Sequence, residues 1–156
     1  MRILLIGAGT RPPAWVAAGF QDYARRLPPE CRLELAEIPL GRRGKGQDPA
    51  RAIASEGQRM LQAIPAGSRV LALDLAGQAW STADLARKLG DWLAQGRDLA
   101  LLVGGPDGLA SACLERADAR WSLSPLTFPH ALVRVLLAEQ LYRAWSLLRG
   151  HPYHRE

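Results

Sequence analysis

Five apolar stretches of strand length alternate along this chain with segments whose apolar residues recur at helical spacing. The strand-like stretches are Arg2–Ala8, Arg32–Ile38, Arg69–Leu75, Asp98–Val103 and a short one around Arg120–Leu123. The Asp98–Val103 stretch is almost uninterrupted in apolar residues, as a strand covered on both faces must be. Arg32–Ile38 instead alternates, with Leu33, Leu35 and Ile38 toward the core. A first helix starts after Pro12-Pro13, which suit a first turn, and carries Trp15, Ala18, Phe20, Tyr23 and Leu27 before Pro28-Pro29 stops it. Asp48 and Pro49 open a second, with Ile53, Met60, Leu61 and Ile64 on its buried side. Ser81 or Thr82 caps a third, carrying Leu85, Leu89, Trp92 and Leu93 and ending near Gly96. A short helix follows over Leu109–Ala117. A long one over Ala131–Arg149 presents Leu132, Val135, Leu136, Leu141, Trp145 and Leu148. The alternation predicts an α/β fold with a mainly parallel sheet flanked by helices. With no repeat or dividing linker, the 156 residues are expected to form a single domain over 1–156.

Composition narrows the function classes. Runs such as Val70–Leu75 and Leu99–Val103 fall far short of the ~20 apolar residues of a membrane span. Met1–Gly7 reads as a first strand, since it lacks the longer apolar stretch and small-residue cleavage site of a secretory signal. A cytoplasmic protein without a membrane partner is expected. Cys31 and Cys113 lack metal-ligand spacing and suit reduced, buried residues. The balance of 20 Lys and Arg against 15 Asp and Glu gives +5, which favours a polyanionic partner. Eighteen of the 20 are Arg, a bias that phosphate recognition and a GC-rich genome explain equally well.

Familiar chemical signatures are missing. Gly7-Ala8-Gly9 follows a strand, but Pro12 stands where a dinucleotide loop needs its third glycine. Gly41-Arg42-Arg43-Gly44-Lys45-Gly46 lacks P-loop spacing. No Gly-x-Ser-x-Gly elbow occurs, and the three histidines, all within the final 27 residues, have no zinc spacing, so no metal is expected. Two loops remain. Gly104-Gly105-Pro106-Asp107-Gly108 follows an apolar strand, where open α/β sheets place ligands. On its own it is equally a strand-to-helix turn. Ser122-Leu123-Ser124-Pro125-Leu126-Thr127-Phe128-Pro129-His130 mixes apolar walls with hydroxyls ahead of the last helix, fitting either a rigid pocket or a capped helix start.

Taken in order, these loops, the helix segment Leu132-Val133-Arg134-Val135-Leu136-Leu137-Ala138-Glu139-Gln140-Leu141-Tyr142-Arg143-Ala144-Trp145-Ser146 and the tail His151-Pro152-Tyr153-His154-Arg155-Glu156 form a specific series. With Ile3, Gly7, Gly9, Thr10 and the basic loop 41–46, it resembles the small SPOUT methyltransferases that modify N3 of a pseudouridine in large-subunit ribosomal RNA. The resemblance spans essentially the whole chain. It implies a C-terminal deep trefoil knot, a homodimer, and S-adenosyl-L-methionine (SAM) as cofactor, none of which periodicity could suggest. Carried over, the SAM pocket comprises Leu73, Gly104, Gly105, Leu123, Ser124, Pro125, Leu126, Thr127 and Phe128. The catalytic candidates are His154, Arg134, Tyr142 and Arg143, with His154 contacting the target base or taking its proton. Arg42, Arg43, Lys45 and Arg155 are the candidate contacts to ribosomal RNA, whether free, in a subunit or in a ribosome.

Two other functions fit the same features less fully. A SPOUT enzyme acting on tRNA or another base would share the fold, because fold does not fix substrate. The C-terminal tail and the lack of an appended RNA-binding region point away from it. A non-catalytic ribosome-associated or RNA-binding factor would keep the basic surface but would not need the two loops, so cofactor affinity separates it.

Overall fold

The computed structural model describes residues 1–155; Glu156, which closes the C-terminal motif, lies outside the described residues. The five expected strands form one sheet. They are β1 (Arg2–Ala8), β2 (Arg32–Ile38), β3 (Arg69–Ala79), β4 (Leu99–Val103) and β5 (Ala119–Ser122), in the order β2-β1-β4-β3-β5. Every pairing is parallel. β4, Leu-Ala-Leu-Leu-Val, lies at the centre with every residue buried. At the edge, β2 buries Leu33 and Ile38 and leaves Leu35 half-buried.

Because strand side chains alternate, each central strand feeds two cores. On one face Ile3, Leu5, Leu71, Leu99 and Leu101 meet α1 (Ala14–Ala24), α3 (Thr82–Gln95) and α5 (His130–Arg149). On the other, Leu4, Ile6, Val70, Ala100 and Leu102 meet α2 (Ala50–Ala63) and α4 (Ser111–Arg116). Cys31 belongs to the first core and Cys113 to the second; both are buried and free. Burial pushes the Cys31 thiol up to about 11, holding it in its unreactive protonated form.

Local chemistry sets the helix ends. Ser81, not Thr82, caps α3: its Oγ accepts the Asp84 N–H, and the Asp84 carboxylate accepts the Ser81 N–H. Gly96 closes the helix in the left-handed region, which it adopts without steric cost. Asp48 accepts the Ala50 N–H at 2.9 Å, at the start of α2.

Three sequence expectations need correction. In α1 the buried residues are Val16 and Phe20, while Trp15 is 61% exposed and Ala18 faces solvent. The stripe starts one residue later than expected and runs 16, 20, 23, 27; α1 itself ends at Ala24. In α5 only Leu141 of the six expected residues is fully buried, and Arg134, Leu137, Ala138, Tyr142, Ala144 and Ser146 take the inner positions. That helix is apolar around most of its circumference and is packed by α1, α3 and the sheet, so apolar spacing does not select its inner face. Thirdly, β3 continues past Leu75 to Ala79. β5 pairs with it twice, Leu73 and then Gln78 both standing opposite Trp121, and residues 74–77 bulge between them. Gly77 permits the return, since a Cβ there would lie 2.7 Å from the β5 backbone.

One polar tie crosses the first core. Arg134 on α5 is 2% exposed; its Nη2 donates to Gly9 O at 2.6 Å and its Nη1 to Glu37 Oε2 at 2.8 Å. Its guanidinium lies against Gly7, where a Cβ would come within 3.1 Å of Nε. Arg134 thus fastens α5 to the carboxyl ends of β1 and β2. Arg134→Met leaves the Gly9 carbonyl and Glu37 without their donor. It is expected to lower stability by about 3 kcal/mol in urea unfolding at fixed protein concentration.

Candidate active site

Parallel pairing brings all strand carboxyl ends to one edge, and there β3, β4 and β5 surround a cavity of about 410 Å³. Leu73–Leu75 after the regular part of β3, Gly104–Leu109 after β4 and the loop after β5 form its walls. His130 and Val133 of α5 complete the lining. Of the nine residues assigned to a cofactor, eight line this cavity: Leu73, Gly104, Gly105, Leu123, Ser124, Leu126, Thr127 and Phe128. Pro125 is exposed and is not part of the lining.

The loops are built by short-range constraints. Gly104 is required because the segment folds back on itself; a Cβ there would stand 2.5 Å from the Gly108 carbonyl carbon. Gly108, at φ +83°, takes the turn, and its N–H donates to Gly105 O at 3.1 Å. In the loop after β5, Ser122 Oγ donates to Ser124 O at 3.2 Å and Ser124 Oγ accepts the Leu126 N–H at 3.0 Å. These bonds spend the hydroxyls on shaping the loop and push Leu126 outward, where it stands 69% exposed at the cavity. Trp121, in the lining, stacks on Trp80 at 5.0 Å between ring centres, and its buried indole N–H has no partner among the described residues.

Sequence reasoning placed Asp107 and His130 within the two candidate loops without assigning them a role, and did not find Leu109, Leu114, Trp121 or Val133 as lining residues. Leu114 and the α5 pair arrive there only through helix packing. His130 does carry a local signal, as the first residue of a helix that starts directly beneath the loop. Burial, and then the neighbouring Arg134 cation, hold its pKa below the ordinary imidazole value, with Glu56 acting in the opposite direction. The ring is therefore neutral near pH 7, able to donate through one nitrogen and accept through the other.

None of the four catalytic candidates lines the cavity within one chain. Arg134 makes the tie described above. Tyr142 is buried in an aromatic cluster, 4.7 Å from Tyr153 and 5.8 Å from Trp145 between ring centres. Arg143 pairs with Glu139 at 2.6 Å and reaches the His154 carbonyl at 3.4 Å. The tail forms a 3-10 turn over Pro152–Arg155, pinned by buried Tyr153, whose hydroxyl donates to Glu139 Oε1 at 3.1 Å. His154 is half-buried with its Nδ1 against the His151 carbonyl, and Arg155 is exposed.

The basic loop divides into two kinds of residue. Arg42 and Lys45 are exposed. Arg43 turns inward: Nη1 donates to Glu56 Oε2 at 2.6 Å and Nε to Asp107 Oδ2 at 2.7 Å. Among the described residues no group of three or more His, Cys, Asp or Glu side chains is placed to hold a metal, and no helix is long and apolar enough to cross a membrane.

Comparison with known proteins agrees with this architecture. The family described as "Predicted SPOUT methyltransferase" matches residues 1–154. A protein of Alkalilimnicola ehrlichii named Ribosomal RNA large subunit methyltransferase H is 67% identical over 155 residues, 99% of each chain. Its namesakes in Thioalkalivibrio sulfidiphilus and Methylococcus capsulatus are 65% and 56% identical, covering 100% and 99% of this chain and 100% of each of their own. Among solved structures, a probable methylase-family protein from Haemophilus influenzae superposes with a TM-score of 0.53 at 13% identity. That alignment covers 97% of this chain and 69% of the other, a likeness of fold alone. The match over nearly the full length places the chain among the SPOUT methyltransferases, in the ribosomal RNA large subunit methyltransferase H family.

Proposed function

We propose that this enzyme methylates N3 of a pseudouridine in large-subunit ribosomal RNA with SAM as donor, acting in the cytoplasm as a homodimer. The observation that carries the reading is the single cavity that gathers eight of nine predicted cofactor residues at the sheet's carboxyl edge. Its make-up suits a ligand with a flat aromatic part and a polar part. Leu73, Leu123, Leu126 and Phe128 offer apolar faces, and the glycine backbone offers amides and carbonyls at close range. Exposed Leu126 gains burial when such a ligand covers it. The relatives named as ribosomal RNA large subunit methyltransferases support the choice of RNA. The family's C-terminal deep knot belongs to the same proposal.

When bound, SAM supplies an already activated methyl electrophile. The chain's own residues then have three tasks: holding the donor, presenting the acceptor nitrogen and managing the proton that leaves it. The cavity walls serve the first task. His154 serves the others, meeting the base or receiving the N3 proton, with an arginine facing the negative oxygens of the imide. Within one chain His154 lies outside the cavity lining, and a homodimer offers a route by which the tail of one copy meets the cavity of the other. Arg134, Tyr142 and Arg143 hold α5 and the tail in place and act through them. Arg42, Lys45 and Arg155 are the exposed cations for RNA phosphates.

The direct test is methyl transfer from labelled SAM to ribosomes of a strain lacking this protein. Label is expected in large-subunit RNA as N3-methylpseudouridine, identified by mass, and His154→Ala is expected to reduce it. Label in tRNA instead would replace the substrate, and a protein that binds no SAM would be a non-catalytic RNA-binding factor. Leu126→Ala is expected to leave stability within about 0.5 kcal/mol of the original, as for other exposed positions. The same change should weaken SAM binding by roughly 10-fold in calorimetry, given the apolar area lost. Arg42→Gln should weaken ribosomal RNA binding and reduce the slope of log affinity against log salt by about 0.7–0.9, the value of one phosphate contact.

A further inference from the structure

We propose that Arg43 is a positioning residue for the methyl-donor site: seated on buried Glu56, it holds Asp107 and so fixes the Gly104–Gly108 loop that walls the cavity. The inference rests on the reading of that cavity as the donor site. It assigns one member of the basic loop to cofactor binding and leaves Arg42 and Lys45 to the RNA.

Two glycine loops converge on one carboxylate. Glu56, on α2, is 3% exposed. Its Oε2 accepts the Gly41 N–H at 2.8 Å and the Arg43 Nη1 at 2.6 Å, so it anchors the basic loop by backbone and side chain together. Its Oε1 lies beneath the other loop, 3.5 Å from where a Cβ on Gly105 would stand. A buried carboxylate needs a close cation, and removing that cation would strand the charge. Arg43 therefore stays inward and is withheld from solvent phosphates.

The guanidinium has two usable edges. Nη1 and Nη2 both reach Glu56, the second at 3.3 Å, while Nε points to Asp107 Oδ2 at 2.7 Å. Asp107 is the third residue of the turn Gly105–Gly108 and, like its neighbours, lines the cavity. An ammonium could serve one carboxylate well but could not bridge both in this fixed planar geometry. Fixing a loop before its ligand arrives reduces the ordering cost of binding, which appears as affinity.

The test uses Asp107→Asn, Arg43→Gln and the double variant of the full chain. SAM affinity is measured by calorimetry without RNA, together with KM and kcat for methyl transfer and amide hydrogen exchange of the loop. Each single change is expected to raise the SAM Kd and KM by roughly 5-fold and leave kcat at saturating SAM near its original value. The double variant is expected to be little worse than either single one, because both remove the same pair. The Gly108 amide should exchange faster in Asp107→Asn while core amides do not, and the salt slope of RNA binding should not change in Arg43→Gln. Asp107 is exposed, so its replacement probes the loop even if Arg43→Gln compromises folding. Unaltered SAM affinity and unaltered Gly108 exchange in Asp107→Asn would overturn the inference, as would a lower salt slope in Arg43→Gln. Failure of the original protein to bind SAM would strike the cofactor reading instead, and the exchange rates would still decide the role of Arg43.

Discussion

The structure depends on one constraint: β4 is apolar along its whole length and must be covered on both faces. A strand with no solvent side belongs at the centre of a sheet, and helical crossovers that cover both faces make the sheet parallel. All carboxyl ends then lie along one edge. The loops after β3, β4 and β5 meet there with no further design, and the cavity is the space they leave between themselves and the start of α5. The bulge in β3 adds to this by carrying Asp74 and Leu75 out of the ladder and into the wall before the strand rejoins β5.

Two buried ions interrupt this apolar frame, and both stand beside glycines. Arg134 lies against Gly7 and Gly9; Glu56 lies beneath Gly105 and binds Gly41. A charge taken from water must be surrounded by partners, and backbone groups can serve only where no Cβ blocks the approach. Gly7, which looks like strand-end punctuation in the sequence, is thus an approach site for a buried side chain. Each ion also joins elements distant in the chain, α5 to β1 and β2 in one case, the loops 41–46 and 104–108 in the other. Such ties fix where loops sit at the functional edge.

Strand positions were legible in the sequence because buried strands declare themselves as short apolar runs, and the capping box at Ser81 is a purely local code. Inner faces of helices were less legible. Trp15 is the most apolar surface in the first turn of α1 and yet points outward, because Val16 sets the phase of the buried stripe. In α5, three packed sides leave no phase to read, and an arginine occupies one of the most buried positions. The cavity walls were legible where resemblance supplied loops and illegible where packing supplied side chains: nothing in the chain near Leu114 and Val133 announces that they line the cavity, or near Glu56 that it comes to rest by Gly105.

The basic loop shows how far charge counting can reach. Read as sequence, Arg42, Arg43 and Lys45 are three equivalent cations on a flexible turn. In the fold the middle one is neutralised by two carboxylates, one of them buried, and its charge is spent inside the protein. The outward field of the loop is that of its two neighbours. Their separation along the chain, with Arg43 and Gly44 between them, places them on a segment whose path Glu56 dictates through the Gly41 amide. A buried carboxylate thus sets the path of the segment that carries the external charges, through a backbone bond that does not depend on the Arg43 side chain.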